Sequence, residues 1–339
     1  MSIDQGNMLG VAANLGAQLL EAEAAAEMYV PKNIKRPGVV LVAGMGGSAI
    51  SGDIANDLTS EIPILSLRGY TLPDFAREKD LLIAVSYSGN TEEVLSCVKE
   101  AGRRSLPVIA ITSGGKLKEI ADERNYPTID AKKGFQPRSA LPYLCVPILK
   151  ILERMGAFHD LKSAIQDAAA TLKILRDEWG PERDERVHPL KQLAKKLVGQ
   201  IPLIFASSHT TASAGLRLKC QFNENSKMTA HLMLFPELNH NEIVNLSQLK
   251  RGAHKFSGII LRDEDDHIRI KKRIDITKSL LGAGLGGFFE AQSRGKTRLA
   301  RLFSLIYFGD LLSVYCALAA GLDPTPVDII TRLKKEMAR

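Results

Sequence analysis

Along the first half of the chain, short unbroken apolar runs alternate with longer stretches whose apolar residues recur every three or four positions. Val39 to Ala43, Ile62 to Leu67, Leu81 to Ser86 and Pro107 to Thr112 have the length and composition of strands. Ala49 to Leu58 and Glu92 to Ala101, between them, have helical spacing. A strand that is apolar on both faces must be covered on both, so this order predicts a parallel sheet flanked by helices. Leu9 to Tyr29, rich in Ala, Leu and Glu, predicts a leading helix that stops before Pro31 and Pro37.

Asp177 to His188 is crowded with charges and contains Gly180 and Pro181, the pattern of a linker. A second series follows: Leu203 to Ala206 as a strand, Ser207 to Ser213 as a polar turn, Ala214 to Phe222 as a helix and Ser257 to Leu261 as a strand. Strand, small polar turn and helix thus open both halves, which predicts a duplicated α/β fold. Arg298 to Ala320 predicts a long amphipathic to apolar helix, and Val327 to Met337 a terminal one. The expected organisation is an N-terminal helical segment (1–36), a first domain (37–152), a connecting helix and linker (153–190) and a second domain with a C-terminal helix (191–339). A length of 339 residues suits two domains, each with its own core.

Composition narrows the function classes. With 45% hydrophobic and 24% charged residues the chain is neither disordered nor fibrous. Apolar runs such as Leu81 to Val85 and Val314 to Ala320 fall short of the roughly 18 residues that span a bilayer. Met1 to Gly10 has no basic cluster ahead of an apolar core, so a cytoplasmic protein without a membrane partner is expected. The net charge of +7 suits an anionic partner, and basic residues dispersed among acids favour a small phosphorylated metabolite over nucleic acid. Cys97, Cys145, Cys220 and Cys316 lack CxxC spacing and read as buried free thiols. His159, His188, His231, His254 and His267 have no partner at metal-ligand spacing, so no metal is expected.

Chemistry gathers in the turns after the strands. Val42-Ala43-Gly44-Met45-Gly46-Gly47-Ser48-Ala49 sets a glycine-rich turn between strand and helix, where backbone N–H groups can approach an anion. Gly44, Gly46 and Ala49 also match the dinucleotide pattern G-x-G-x-x-A. Dinucleotide binding, however, needs an acidic residue near the end of the second strand, where Ser66, Leu67 and Arg68 stand. A turn that serves packing alone is the plainer alternative. Val85-Ser86-Tyr87-Ser88-Gly89-Asn90-Thr91-Glu92 is sharper. Ser86, Ser88 and Thr91 put three hydroxyls beside a helix start, able to hold a phosphate dianion without a cation, whereas a helix cap needs only one. Thr112-Ser113-Gly114-Gly115 reads as a structural turn.

Gly44 to Ser48 together with Ser86 to Thr91 resembles the sugar isomerase (SIS) domain, a phosphosugar-binding module. Gln136 to Pro142, Phe222 to Lys227 and Pro236 to Asn241 narrow the resemblance to the bifunctional phosphoglucose/phosphomannose isomerase family, in the same order and through nearly the whole chain. The resemblance implies two tandem SIS-type doubly wound α/β domains, each a mainly parallel sheet flanked by helices. It implies a homodimer whose pocket, built from both subunits, takes an open-chain hexose 6-phosphate with neither metal nor cofactor. By motif, Gly47, Ser48, Ser86, Ser88 and Thr91 would hold the phosphate, Arg138 would face the reacting carbons, Glu224 would be the base and His240 would assist ring opening. Lys334 matches the family's catalytic lysine, with Lys335 as the alternative register. Val327 stands seven positions before Lys334, where some relatives carry a polar residue, which bears on mannose 6-phosphate activity.

The implied reaction interconverts glucose 6-phosphate, and mannose 6-phosphate, with fructose 6-phosphate. A proton leaves C2 and returns to C1 through a cis-enediol, so one carboxylate can serve both carbons. A fixed guanidinium binds the enediolate more strongly than the substrate. A histidine, titrating near neutrality, suits opening of the sugar ring, with Lys334 as a helper. Taken singly, each residue has a plainer role: Glu224 solvated, His240 in a turn, Arg138 paired with a surface acid, Lys334 on a charged helix face. His209, on the second half's polar turn, fits a sugar contact or a turn equally. Three other functions compete. A non-catalytic phosphosugar-binding regulatory protein would carry an effector domain, and the stretch before Gly38 is short for one. An amidotransferase-type isomerase needs an ammonia source, and a nucleotide-dependent oxidoreductase needs the missing ribose-binding acid.

Overall fold

The computed structural model describes residues 3–249, 255–282 and 284–337. The leading helix is interrupted at Asn14, giving α1 (Met8–Ala13) and α2 (Leu15–Tyr29). The first sheet follows as β1 (Val40–Ala43), α3 (Gly47–Leu58), β2 (Ile64–Leu67), β3 (Leu81–Ser86), α4 (Glu92–Arg103), β4 (Val108–Thr112), α5 (Gly115–Arg124) and β5 (Thr128–Asp130). Its order is β2-β1-β3-β4-β5, with every pairing parallel. β1, β3 and β4 are buried at every position, as their unbroken apolar sequences require.

Three helices lead onward: α6 (Leu141–Arg154), α7 (Leu161–Trp179) and α8 (Pro189–Leu197). The charge-rich stretch Asp177 to His188 comprises the end of α7 and a short 3-10 turn. Its His188 is fully buried; Nδ1 accepts the Lys191 N–H at 3.2 Å, so Nε2 donates to the Gly180 carbonyl at 3.0 Å. The second sheet is formed by β6 (Ile201–Ser207), α9 (Ala212–Glu224), β7 (His231–Phe235), α10 (Glu242–Leu246), β8 (Phe256–Arg262), α11 (Ile268–Leu281) and β9 (Phe288–Gln292). Its parallel order, β7-β6-β8-β9, repeats that of the first four strands of the first sheet, the duplication expected from the recurring strand-turn-helix pattern. The chain closes with α12 (Arg298–Ala319) and α13 (Asp328–Met337).

One face of each sheet feeds a common core: Val42, Ile83 and Val85 of the first and Ile204, Ile259 and Leu261 of the second share it with α2, α6, α7 and α12. The opposite faces have separate cores, around Leu41, Leu82 and Val98 and around Phe205, Phe235 and Ile274. α12 is long and apolar enough to cross a membrane, but 89% of its apolar window is buried within the chain, where it packs on α7, α8 and α9. It is a core helix. The cysteines are free, as expected, although Cys220 is only half-buried.

Between the domains, α3 and α9 pack together. Asp57, near the end of α3, accepts the Ser213 N–H at the start of α9 at 2.9 Å. Gly47, at the start of α3, abuts Arg138, which bonds Asn225 just past the end of α9. The two helices therefore run antiparallel, and the start of one is set beside the end of the other.

Candidate active site

The chain leaves β1 for β2 on one side and resumes at β3 on the other, so the turns after β1 and β3 diverge at the crevice where such sheets take ligands. α3 and α4 both start there, and neither has a side-chain cap. Thr91 does not cap α4; its Oγ1 lies 2.9 Å from Ser86 Oγ, while Ser88 Oγ accepts the Asn90 N–H at 3.3 Å. Hydroxyls and uncapped amides are thus gathered at two positive helix ends, an arrangement suited to a phosphate. Ser48 and Ser86 are buried and Ser88 is exposed. Gly89, at φ +70°, has the Gly114 carbonyl where a Cβ would lie, at 1.7 Å, so only glycine lets the Thr112–Gly115 turn support this loop.

Gly47 is needed for a different reason. A Cβ there would stand 3.1 Å from the Pro137 carbonyl oxygen and 3.2 Å from Arg138 Cα, so its absence lets the 3-10 turn Pro137–Ser139 close on the start of α3. Arg138 is 3% exposed. Its Nε donates to Asn225 Oδ1 at 2.7 Å, its Nη2 donates to the Pro324 and Thr325 carbonyls at 2.8 and 3.0 Å, and its Nη1 stands 3.7 Å from Glu224 Oε2. Burial pushes the Arg138 pKa below its ordinary value, with Glu224 opposing that shift. Glu224 is the last residue of α9, its side chain 28% exposed. Lys227, at φ +57°, closes this helix end by donating to the carbonyls of Glu224 (2.8 Å), Asn225 (3.2 Å) and Pro324 (3.0 Å). Burial and then Arg138 push its pKa down. Asn225 and Lys227 were given no role from sequence, although both lie within the Phe222 to Lys227 motif.

Gly47, Ser48, Arg138 and Glu224 are therefore brought together, with Ser86, Ser88 and Thr91 at the same sheet edge. His240 and Lys334 are not. His240 is exposed on the 3-10 turn Glu237–His240 after β7. α9 runs from the C-terminal edge of the second sheet to its N-terminal edge, while β7 runs the other way, so Glu224 and His240 lie at opposite edges. The 13 residues of α9 alone span about 20 Å. Lys334 rides on α13, none of whose described residues is buried. His209 is exposed in its turn, its carbonyl accepting from Arg298. The second sheet's own crevice is occupied by acids, Asp57 on the start of α9 and Asp263 paired with Arg301 at 3.2 Å. His254 lies outside the described residues. Cavities of about 540 and 600 Å³ lie elsewhere, around Trp179 and Phe289 and around Ile34 and Tyr126, and neither is lined by a residue of this site.

A family profile described as bacterial phospho-glucose isomerase C-terminal SIS domain matches residues 186–337. A bifunctional phosphoglucose/phosphomannose isomerase from Caldicellulosiruptor bescii is 40% identical over 311 residues, covering 90% of this chain and 92% of that protein. This chain belongs to the bifunctional phosphoglucose/phosphomannose isomerase family. The protein of the same name from Thermoplasma volcanium is 36% identical over 301 residues, 88% of this chain and 91% of its own length. Among solved structures, the C-terminal domain of glucosamine-fructose-6-phosphate aminotransferase from Francisella tularensis matches with a TM-score of 0.67 at 14% identity, over 94% of this chain and 97% of that one. That likeness speaks for the fold alone. The two doubly wound α/β domains are of the SIS type.

Proposed function

We propose that this family member is an aldose–ketose isomerase that interconverts glucose 6-phosphate, and mannose 6-phosphate, with fructose 6-phosphate through a cis-enediol. The observation that carries the proposal is the approach of Arg138 Nη1 to Glu224 Oε2 beside the uncapped start of α3. A base, a fixed cation and an anion cradle stand in one place. The phosphate sits against the first amides of α3 and α4, with the hydroxyls of Ser48, Ser86, Ser88 and Thr91 around it. Glu224 takes the proton from C2 and returns it to C1. Arg138, already desolvated and braced, meets the enediolate without having to reorganise.

Ring opening requires a proton to reach the ring oxygen and another to leave the anomeric hydroxyl. Because His240 lies across the second sheet from Glu224, this role passes to His240 of the partner subunit in a homodimer. α13 supports such an assembly: Ile329, Leu333 and Met337 expose an apolar stripe beside Lys334, where a second copy can cover it. The test is a coupled assay of purified protein, in the presence of a chelator, that reads glucose 6-phosphate and mannose 6-phosphate formed from fructose 6-phosphate. Turnover to both is expected. Tight hexose-phosphate binding with no product would overturn the proposal in favour of a non-catalytic phosphosugar-binding regulator.

A further inference from the structure

We infer that Asn225, Arg217 and Asp310 form a buried brace that aims a single nitrogen of Arg138 at Glu224, an inference that rests on the isomerase function proposed above. Asp310 holds Arg217 by two contacts, Oδ1 accepting from Nε at 2.8 Å and Oδ2 from Nη2 at 2.7 Å. Gln221 Nε2 donates to the same Oδ1 at 2.8 Å. Arg217 Nη2 also donates to the Arg138 backbone carbonyl at 2.9 Å. From its main chain, Asp310 accepts the Ser313 hydroxyl at 2.9 Å, and that hydroxyl accepts Asn225 Nδ2 at 2.9 Å. Asn225 is thereby turned so that Oδ1 faces Arg138 Nε at 2.7 Å. The circuit closes on Arg138, held by its backbone on one side and its guanidinium on the other. Arg217, Asp310, Ser313 and Asn225 are all buried.

The count of donors gives the brace its meaning. A guanidinium has five N–H groups in a rigid fork. Nε and Nη2 are committed to Asn225 and to the Pro324 and Thr325 carbonyls; Nη1 has no hydrogen bond among the described residues and stands toward Glu224. Swinging the fork to present another nitrogen would strip partners from buried polar groups, which is costly. Nη1 is thus the donor left for a developing enediolate oxygen, and its direction is set by the partners that hold Nε and Nη2. A buried pair such as Arg217 and Asp310 is weak evidence for stability, since desolvation offsets much of the attraction. Its contact with the Arg138 carbonyl supplies a use beyond stability.

Asn225, Arg217 and Asp310 are positioning residues, and a double-mutant cycle tests them through the group they act on. Arg138→Lys keeps the charge and removes the fork; it is expected to lower kcat for fructose 6-phosphate at least tenfold. Asn225→Ala is expected to lower kcat roughly 10- to 100-fold, the cost of a misplacement near 1 Å, with KM changed less than threefold. Adding Asn225→Ala to Arg138→Lys is expected to cost nothing further, because the fork is already gone. Arg217→Lys is expected to behave like Asn225→Ala, and a cooperative melt identifies variants that remain folded. If Arg138→Lys impairs turnover but folded Asn225→Ala keeps kcat within twofold of wild type, the brace is refuted. Losses that multiply in the double variant refute it too. If Arg138→Lys leaves turnover unchanged, the assignment of the catalytic site itself falls.

Discussion

Glu224 is one of many acids in the chain, and what sets it apart is that the buried guanidinium 3.7 Å away belongs to Arg138, which abuts the uncapped start of α3. Glu224→Gln removes the proposed base and keeps the shape, so kcat is expected to fall roughly 10²- to 10⁴-fold while hexose-phosphate binding persists. Loss of C2 hydrogen exchange with solvent, followed by NMR in deuterium oxide, checks this; normal exchange would assign the base elsewhere. Gly47→Ala probes the other side of the site. Its new methyl meets main-chain atoms of Pro137 and Arg138, so backbone must move by a few tenths of an ångström. The expected result is a raised KM and a loss of about 1–3 kcal/mol in stability. Gly69→Ala is the control: among the described residues, no atom beyond its chain neighbours lies within 4 Å of the added methyl, and denaturant unfolding should scarcely register it. Glu224 and Gly47 could be singled out in the sequence because family motifs carry them. The bonds of Asn225 and Lys227 were not, since Arg138 lies 87 residues from Asn225 and Pro324 lies 97 residues from Lys227, separations on which periodicity is silent.

At the scale of elements, legibility followed burial. β1, β3 and β4 are covered on both faces and announce themselves as unbroken apolar runs. β7 and β9 are the outer strands of the second sheet, mostly exposed or half-exposed, and His231 and Glu290 dilute their apolar signal. The linker region hid a different feature, because nothing local shows that His188 is buried under Tyr315 while capping α8. Burial pushes its pKa below the ordinary 6.5. The folded state then binds that proton less tightly than the unfolded state, so ΔG of unfolding rises with pH across this window. The contribution is complete above 6.5 and is lost as pH falls toward the lowered folded value. His188→Asn keeps a capping side chain without the titration. Urea unfolding at pH 7.5 and 5.5 should therefore show a smaller acid loss in the variant than in wild type; equal losses would place the sensitivity elsewhere.

Over the whole molecule, two sheets share one helical core and two first helices lie antiparallel, and that arrangement separates two residues that the proposed chemistry would use together. Glu224 ends α9 at one edge of the second sheet, and His240 follows β7 at the other. Neither can cross without dismantling the strand or helix that leads to it. If ring opening and proton transfer act on one bound sugar, the two side chains must come from different copies of the chain. Mixing tests this directly. Glu224→Gln and His240→Asn, each strongly impaired alone, are combined in equal amounts, unfolded and refolded together. In a two-fold dimer, about half the molecules formed are then mixed, and each mixed molecule has one site with both lesions and one with neither. About a quarter of all sites are therefore intact, and close to a quarter of wild-type activity should return. If both residues came from the same chain, every site would retain one lesion, and mixing would restore nothing.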